Sequence, residues 1–144
     1  MYPYAVTYSS QFEKSNDQNS QMVLGLWKDF DNNTIDNSLD KFADTVTMMM
    51  PGFEMAGVTR DSALVSSKEY RSMFSKVTSR ISAVMALKRT DKNEEWVLVW
   101  GPEVHTNKKN VTDPVQLQET WRLNKDGKID FMFQYMRNTP APKK

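Results

Sequence analysis

The chain of 144 residues contains no cysteine and only one histidine, His105. The missing cysteines exclude disulfides, thiol nucleophiles and cysteine-ligated metals, and a single histidine excludes a multi-histidine zinc site. The five glycines form no phosphate-binding loop, hydrolase elbow or dinucleotide fingerprint. We therefore expect neither a metal nor a cofactor.

A charge excess and long apolar runs are also missing. The net charge is +1 and the basic residues are scattered, so nothing predicts a nucleic-acid partner. No stretch has the apolar length of a membrane span, and the first residues lack the charged-then-apolar order of a signal peptide. We expect a soluble domain; its compartment stays open, because an exported chain would already have lost its leader.

The length and the composition, 26% charged and 39% apolar, are those of one globular domain. Residues 1–19 are polar and aperiodic and are predicted to be an N-terminal arm. Residues 20–137 are predicted to form the folded domain. Residues 138–144, with Pro140 and Pro142, are predicted to be a flexible tail.

Hydrophobic spacing predicts helices first and strands afterwards. Val23, Leu26, Trp27 and Phe30 lie at helical spacing, which predicts a first helix from about Ser20. The later pattern predicts a short helix capped by Thr34 and a strand over residues 44–50. A third helix is predicted to begin at Asp61 or Ser62 and to carry Tyr70, Phe74 and Val77. Long strands are then predicted over residues 78–89, 96–108, 115–124 and 128–137.

This order predicts an α+β fold in which one curved, mostly antiparallel sheet covers three helices. Gly101 and Pro102 interrupt the second long strand and predict a bulge or bend there. The side of the sheet to which His105 points depends on that bulge. We expect His105 at a solvent-exposed rim, although its ordinary pKa makes it a candidate acid or base.

Glu119 is the most unusual residue of the chain. Strict alternation over residues 117–123 places Leu117, Trp121 and Leu123 on one face of a strand, and Glu119 falls on that same apolar face. A carboxylate there is costly unless it is paired or faces a cavity. Glu119 is therefore either a pocket acid or a structural acid satisfied by a neighbouring Tyr, Trp or backbone group.

Aromatic and thioether side chains could line a pocket around Glu119. On the last strand, alternation from Ile129 predicts that Phe131, Phe133 and Tyr135 point inward. Core packing alone explains many of these residues. The predicted ligand-pocket residues are Trp27, Met48, Met50, Tyr70, Phe74, Glu119, Trp121, Phe133 and Tyr135.

The strand over residues 96–100 is apolar on both faces, so its outward face must also be covered. An exposed apolar patch of this kind is typical of a partner surface, and a two-fold interface uses one patch on both copies. We expect a homodimer.

The order of elements resembles the nuclear transport factor 2-like superfamily, and specifically its SnoaL-like and ketosteroid isomerase-like branches. The resemblance rests on residues 33–52, on Gly57 ahead of the third helix, and on residues 121–124 and 126–129 in the last hairpin. It implies a cone of three N-terminal helices on a strongly curved mixed sheet, often dimeric, with an apolar pocket. The strand register of the family turns Trp96, Leu98 and Trp100 outward. With the adjacent positions of the last strand, the predicted interface residues are Trp96, Leu98, Trp100, Met132 and Met136. Such proteins include isomerases, cyclases, ligand carriers and inert scaffolds.

The isomerase branch also implies three functional positions, of which this chain retains one. The general base, an aspartate before a proline, corresponds to Met50 before Pro51, and the tyrosine donor falls near Leu26. The protonated acid two residues before an aromatic corresponds to Glu119 before Trp121. Methionine cannot accept a proton from a substrate, so we do not expect steroid isomerase chemistry.

Three functions are therefore open. The leading hypothesis is a SnoaL-like dimer that binds a small, mainly apolar organic molecule, with Glu119 as its single polar anchor. The second is an isomerase, cyclase or dehydratase in which Glu119, assisted by His105 or Tyr135, moves a proton. The third is an inert fold used only for association.

Overall fold

A single curved sheet of eight strands packs against two α-helices and a 3₁₀ helix in the computed structural model, which describes residues 1–139. Neither α-helix of this described chain combines the length and the apolar character that crossing a membrane requires. In chain order, the elements are β1 (Phe12–Lys14), α1 (Asp17–Asn32), the 3₁₀ helix (Ile35–Lys41), β2 (Phe42–Met50), β3 (Phe53–Thr59), α2 (Arg60–Ser72), β4 (Phe74–Ser79), β5 (Ala83–Arg89), β6 (Glu94–Asn107), β7 (Thr112–Leu123) and β8 (Ile129–Asn138).

The strand order is β1-β5-β6-β7-β8-β2-β3, and β4 pairs with β6 beyond the end of β5. All pairs are antiparallel except β2 with β8, which is parallel. The predicted α+β fold with a mixed, mostly antiparallel sheet is therefore confirmed. The helices lie on the concave face, and this arrangement produces the predicted cone.

Helix α1 presents Trp27 to the concave face of the sheet. The helix begins three residues before the predicted Ser20, because the side chain of Asn16 accepts a hydrogen bond from the Gln18 amide at 2.8 Å. Val23, Leu26 and Trp27 are buried at the expected helical spacing. The carboxyl end closes at residue 33, an asparagine in the left-handed region.

Several predicted boundaries in the first half of the chain differ from the structure. Thr34 makes no side-chain cap on the 3₁₀ helix, and its hydroxyl bonds the Asp29 carboxylate instead. Helix α2 is capped by Thr59 rather than by Asp61 or Ser62. Strand β3 is not predicted by the sequence.

The predicted strand over residues 78–89 is in fact two strands, β4 and β5. Helix α2 ends at Ser72, so Phe74 and Val77 belong to β4 and not to the helix. Both strands pair with the same edge of β6, one after the other. No glycine or proline stands between β4 and β5 to mark the break in the sequence.

The N-terminal segment is not a free arm. Phe12 lies opposite Arg89 in the pairing of β1 with β5, so the arm prediction is wrong for residues 12–19. Arg89 also donates to the backbone oxygen of Tyr8 at 3.0 Å, and its guanidinium lies 4.3 Å from the centre of the Tyr8 ring. At the other end β8 includes Asn138, and residues 140–144 of the predicted tail lie outside the described residues.

Strand β6 runs straight through Gly101, contrary to the predicted bulge. Its pairing with β7 is regular from Glu95 to Thr106. The glycine is required because the connection from β4 to β5 crosses it: the Arg80 amide donates to the Pro102 oxygen at 2.9 Å, and a Cβ on Gly101 would lie 1.9 Å from the Arg80 oxygen. The role of this glycine is therefore close backbone approach.

An unbroken β6 keeps strict alternation along its whole length. Val97, Val99, Glu103 and His105 are consequently all buried on the concave side. His105 is only 5% exposed, so the expected rim position is wrong. The error follows directly from the bulge predicted at Gly101.

The bulge lies instead at the start of β8. Leu123 faces Ile129 and Arg122 faces Phe131, which leaves Asp130 as an extra residue. Its carboxylate pairs with Arg122 at 2.8 Å. Because one additional residue reverses the alternation, every side chain of β8 beyond Asp130 points to the face opposite to that predicted from Ile129.

We predict that Gly101→Ala lowers the free energy of unfolding by at least about 2 kcal/mol, because its Cβ must displace backbone rather than a flexible side chain. Urea denaturation measures the change. The control is Gly25→Ala in α1, where the new Cβ meets nothing within 4 Å beyond the adjacent residues and backbone of its own helix, and where alanine is favoured over glycine by roughly 0.5 to 1 kcal/mol. An unchanged midpoint for Gly101→Ala would contradict the close approach.

Candidate functional site

A cavity of about 130 Å³ lies between the helices and the concave face of the sheet. Most of its wall is apolar, with side chains from α1, the 3₁₀ helix, β2, β7 and β8. Its polar and titratable side chains are Asp29, Ser38, Ser67, Tyr70, Glu103, His105, Glu119 and Gln134. A largely apolar cavity with a few convergent polar groups is the usual form of a small-molecule site.

Glu119 is buried in this cavity and is held by three donors. Trp27 Nε1 donates to its Oε1 at 2.6 Å, and Trp121 Nε1 donates to the same oxygen at 3.1 Å. Gln134 Nε2 donates to Oε2 at 2.6 Å. The carboxyl group thus joins α1, β7 and β8. These contacts are those expected of an acid that neighbouring Trp side chains satisfy, which was one of the two alternatives drawn from the sequence.

Burial raises the pKa of Glu119 from its ordinary 4.5 to about 7. Desolvation is the largest cause, and the negative charge of Glu103 adds to it. The three hydrogen bonds act in the opposite direction, because they stabilise the ionised form. Near neutral pH, Glu119 is therefore present in both protonation states and can either donate or accept a hydrogen bond.

The structure brings together most of the residues predicted for the pocket. Trp27, Met48, Met50, Tyr70 and Trp121 line the same cavity as the carboxyl group. Met50, which the resemblance aligns with the isomerase base, lines the cavity with a thioether that cannot act as a base. The donor from the first helix is Trp27, one residue beyond the position near Leu26 that the resemblance implies.

Three predicted pocket residues lie elsewhere. Phe133 and Tyr135 point away from the cavity because of the bulge at Asp130, and their rings stack on the convex face with centres 4.7 Å apart. Phe74 lies in β4 and stacks on His105, with ring centres 4.3 Å apart.

Because of the same bulge, two residues predicted for the dimer interface point to the cavity side of the sheet instead. Met132 is buried in the core and lines the cavity, and Met136 also lines the cavity. Trp96, Leu98 and Trp100 do lie on the convex face, where they alternate with the buried valines of β6. Trp96 is partly covered by the edge of the Tyr8 ring, at 5.8 Å between centres.

Sequence reasoning missed the partners of the two candidate residues: Gln134, which bonds Glu119, and Glu103, which bonds His105. Strand β8 is apolar on both faces, so nothing in its pattern reveals the bulge that turns Gln134 inward. Glu103 could have been found: it shares the parity of Val97 and Val99 if β6 is taken as unbroken.

Glu103 and His105 form a second buried polar group in the cavity. Glu103 Oε1 bonds Nε2 of His105, and both side chains are less than one tenth exposed. The ring of Tyr70 meets His105 edge-on at 6.4 Å. Burial and the charges of Glu103 and Asp113 raise the pKa of Tyr70, which therefore stays neutral at physiological pH.

A second depression of about 340 Å³ lies beside the cavity. Met50, Tyr70, Gln134 and Met136 border both spaces and lie between them. Among residues 1–139, no group of three or more His, Cys, Asp or Glu side chains is placed to hold a metal ion. The site accordingly offers apolar surface, a buried acid and a histidine–carboxyl pair.

No protein-family model matches the chain, and no curated protein does. Solved structures do match. An NTF2-like protein of unknown function from Exiguobacterium sp. 255-15 is 15% identical, with a TM-score of 0.65 over 82% of this chain and 99% of that one. AusH from Aspergillus nidulans is 12% identical, with a TM-score of 0.66 and coverage of 90% of each chain.

A third match is the epoxide hydrolase/cyclase-like enzyme SalBIII, described for pyran ring formation in the polyether salinomycin. It is 17% identical, with a TM-score of 0.65 over 84% of this chain and 92% of that one. At such low identities the likeness concerns the fold. The protein has the nuclear transport factor 2-like fold, as the resemblance of its sequence predicted, and this fold includes SnoaL-like proteins.

We predict that stability falls with rising pH because of Glu119. Between pH 4.5 and 7 the folded protein keeps a proton that the unfolded chain has lost, so the free energy of unfolding decreases by roughly 3 kcal/mol over this window. Glu119→Gln removes this contribution. Urea denaturation of both proteins across the window measures the difference.

The control for this experiment is Glu54→Gln, an exposed carboxyl on β3. We expect it to keep the pH dependence of the unaltered protein. A difference in stability between the unaltered protein and Glu119→Gln that stays constant from pH 4.5 to 7 would contradict the raised pKa.

Proposed function

We propose that this protein binds a small, mainly apolar organic molecule in its cavity, with Glu119 as the polar anchor. The observation that carries the proposal is a buried carboxyl group in a largely apolar cavity, fixed in position by Trp27, Trp121 and Gln134. Fixed polar groups orient a ligand, while the apolar wall supplies the affinity.

The size of the cavity limits the part of the ligand that is buried. Apolar cavities of about 150 Å³ take up benzene, so a volume of 130 Å³ corresponds to a single ring. A longer ligand would extend past Met50 and Tyr70 into the second depression. Phe53 and Met73 are exposed there and offer apolar contact.

The chemistry of Glu119 determines which polar group the ligand presents. Its Oε1 accepts two hydrogen bonds and its Oε2 accepts one, so Oε2 keeps a free lone pair when the group is ionised. A ligand hydroxyl can donate to that lone pair. Below pH 7 the protonated acid would instead favour a ligand with a carbonyl acceptor.

A second candidate function is an isomerase, cyclase or dehydratase that moves a proton without a cofactor. The observation that favours it is the Glu103–His105 pair on the wall of the same cavity, because proton transfer needs a second titratable group near the ligand. SalBIII, which has a similar fold, is described as an epoxide hydrolase/cyclase-like enzyme. Both candidates use the same binding site.

We also propose a homodimer formed through the convex face of the sheet. Trp100, Tyr135 and Met85 are exposed there, at 39%, 58% and 39% of their surface. Leu98 and Trp100 border a shallow groove with Tyr135. Gln118 of β7 lies between Trp100 and Tyr135, so the apolar side chains form two stripes, one on β6 and one on β8. A second copy that covers this face would bury both stripes.

We predict that phenol binds more tightly than toluene, which has the same number of heavy atoms but no hydroxyl. Above pH 7, one hydrogen bond to ionised Glu119 is worth about 1.4 kcal/mol, or about tenfold in affinity. The preference is lost in Glu119→Gln, in which toluene still binds. Isothermal titration calorimetry measures both affinities.

The matched controls for the phenol and toluene experiment change leucine to phenylalanine on opposite faces of the sheet. Leu117→Phe fills the cavity and should abolish binding of both probes. Leu98→Phe adds the same atoms on the convex face and should leave binding unchanged. Equal affinity of the unaltered protein for the two probes would exclude Glu119 as the anchor, and binding to neither would exclude the cavity.

We predict that Trp100→Glu gives monomers, because it puts a charge into the centre of the proposed interface. Sedimentation velocity measures the mass. The control is Val65→Glu, which changes a side chain on α2 that is 56% exposed, and it should remain dimeric. A monomeric unaltered protein, or a dimer of Trp100→Glu, would contradict this interface.

A further inference from the structure

Among residues 1–139, the walls of the cavity and of the second depression carry acidic side chains but no lysine or arginine. Asp29, Glu103 and Glu119 line the cavity, and Glu69 lines the depression beside it. The whole chain has 19 basic and 18 acidic residues. The excess of acids is therefore a property of this site and not of the protein.

Neutral side chains hold two of these carboxyl groups. Asp29 accepts hydrogen bonds from the hydroxyl of Thr34, at 2.9 Å, and from that of Ser38. Glu119 accepts from two indoles and one amide. Such donors stabilise a carboxylate but do not neutralise it, so the negative charge of the wall is left without a lysine or arginine from the described residues.

Of the described residues on the cavity wall, His105 alone can carry a positive charge. It bonds Glu103, which also accepts from the Ser79 hydroxyl at 3.0 Å. Even a charged His105 would balance only one of the three carboxyl groups. After desolvation by burial, the negative charge of Glu103 is a further cause that raises the pKa of both Glu119 and Tyr70, so the acids of this site repel one another.

Two cations near the site have partners of their own. Arg71 is buried and donates to the backbone oxygens of Phe30, at 2.6 Å, and Asp31, at 3.0 Å, where α1 ends and its dipole is negative. Its guanidinium carbon lies 5.8 Å from the centre of the Phe30 ring, which lines the cavity. Lys68 of α2 is exposed and pairs with Asp36 at 2.9 Å.

Aromatic rings form much of the remaining wall, and they are an observation independent of the acids. The rings that line the cavity are those of Trp27, Phe30, Phe42, Tyr70 and Trp121. The face of an aromatic ring carries partial negative charge and attracts ammonium groups as well as apolar groups. Sites walled by aromatic rings are a common means of recognising organic ammonium ions.

We infer that the ligand of this cavity is an organic cation, a single ring or a similarly small apolar group that carries an ammonium group. The inference rests on the proposed binding of a small organic molecule here and specifies its charge. The ammonium group would donate to the free lone pair of Glu119 Oε2, and the apolar part would lie among the aromatic side chains. A carboxylate ligand would be repelled by the acids of the wall.

Benzylamine and benzyl alcohol test the charge, because they have the same number of heavy atoms and only the amine is a cation at pH 8. Glu119 is largely ionised at this pH, since its pKa is about 7. We expect benzylamine to bind at least about tenfold more tightly, because a charge-assisted hydrogen bond is roughly twice as strong as a neutral one. Benzoate should bind more weakly than either. Isothermal titration calorimetry measures the affinities, and equal affinities of the amine and the alcohol, or a preference for benzoate, would overturn the inference.

Two variants locate the charge that the amine meets. Glu119→Gln and Glu103→Gln each remove one acid from the wall, so each should lower the ratio of the benzylamine affinity to the benzyl alcohol affinity. The control Glu54→Gln removes an exposed carboxyl group on β3 and should leave this ratio unchanged. A ratio that is unchanged in both cavity variants would overturn the role of these acids.

A measurement on the unaltered protein shows which form of the amine binds. At pH 8 an ammonium ion binds with little change in the number of bound protons, whereas binding of the neutral amine releases about one proton per ligand to the buffer. Calorimetry in two buffers that differ in their enthalpy of ionisation measures this number. Release of a whole proton would overturn the inference even if benzylamine binds tightly.

The outcomes separate this inference from the proposed function. Binding of toluene and phenol without a preference for benzylamine over benzyl alcohol would keep the cavity as a ligand site and refute the charge of the ligand. Failure of all these probes to bind would refute the cavity as a ligand site and the inference with it.

Discussion

The carboxyl group of Glu119 is the interaction on which the arrangement of the cavity depends. It is the point where α1, β7 and β8 meet, because the indoles of Trp27 and Trp121 and the amide of Gln134 all donate to it. Without it, two buried indoles and a half-buried amide would lose their acceptor at once, and each unsatisfied donor is costly. The acid is therefore a structural part of the cone and the polar point of its interior, and the same contacts serve both roles.

Much of the fold was predictable from the sequence, because hydrophobic periodicity and turn residues specify elements locally. The first helix, the long strands β6, β7 and β8, and the inward position of Glu119 all follow from alternation or helical spacing. The break between β4 and β5 and the pairing of β1 depend on contacts between distant segments. The Gly101 position is the clearest case, because the sequence cannot show which backbone crosses a glycine.

The residues of the candidate site could be predicted only on strands whose register could be predicted. On β7 the alternation is unbroken, so Glu119 and Trp121 were found. On β8 one extra residue, Asp130, exchanges the two faces, and so Gln134 replaced Tyr135 in the cavity. The energetic reason is local: the Arg122–Asp130 ion pair stabilises the bulge, whereas both faces of the strand are apolar enough to be buried either way.

The pairing of β1 with β5 has a consequence for solubility. An edge strand with free amides and carbonyls is a template for other strands, and proteins commonly cover such an edge. Here residues 12–14 pair with the last three residues of β5, and the contacts of Arg89 with Tyr8 hold the preceding segment against the sheet. The first residues of the chain thus limit the pairing of further strands with this edge of the sheet.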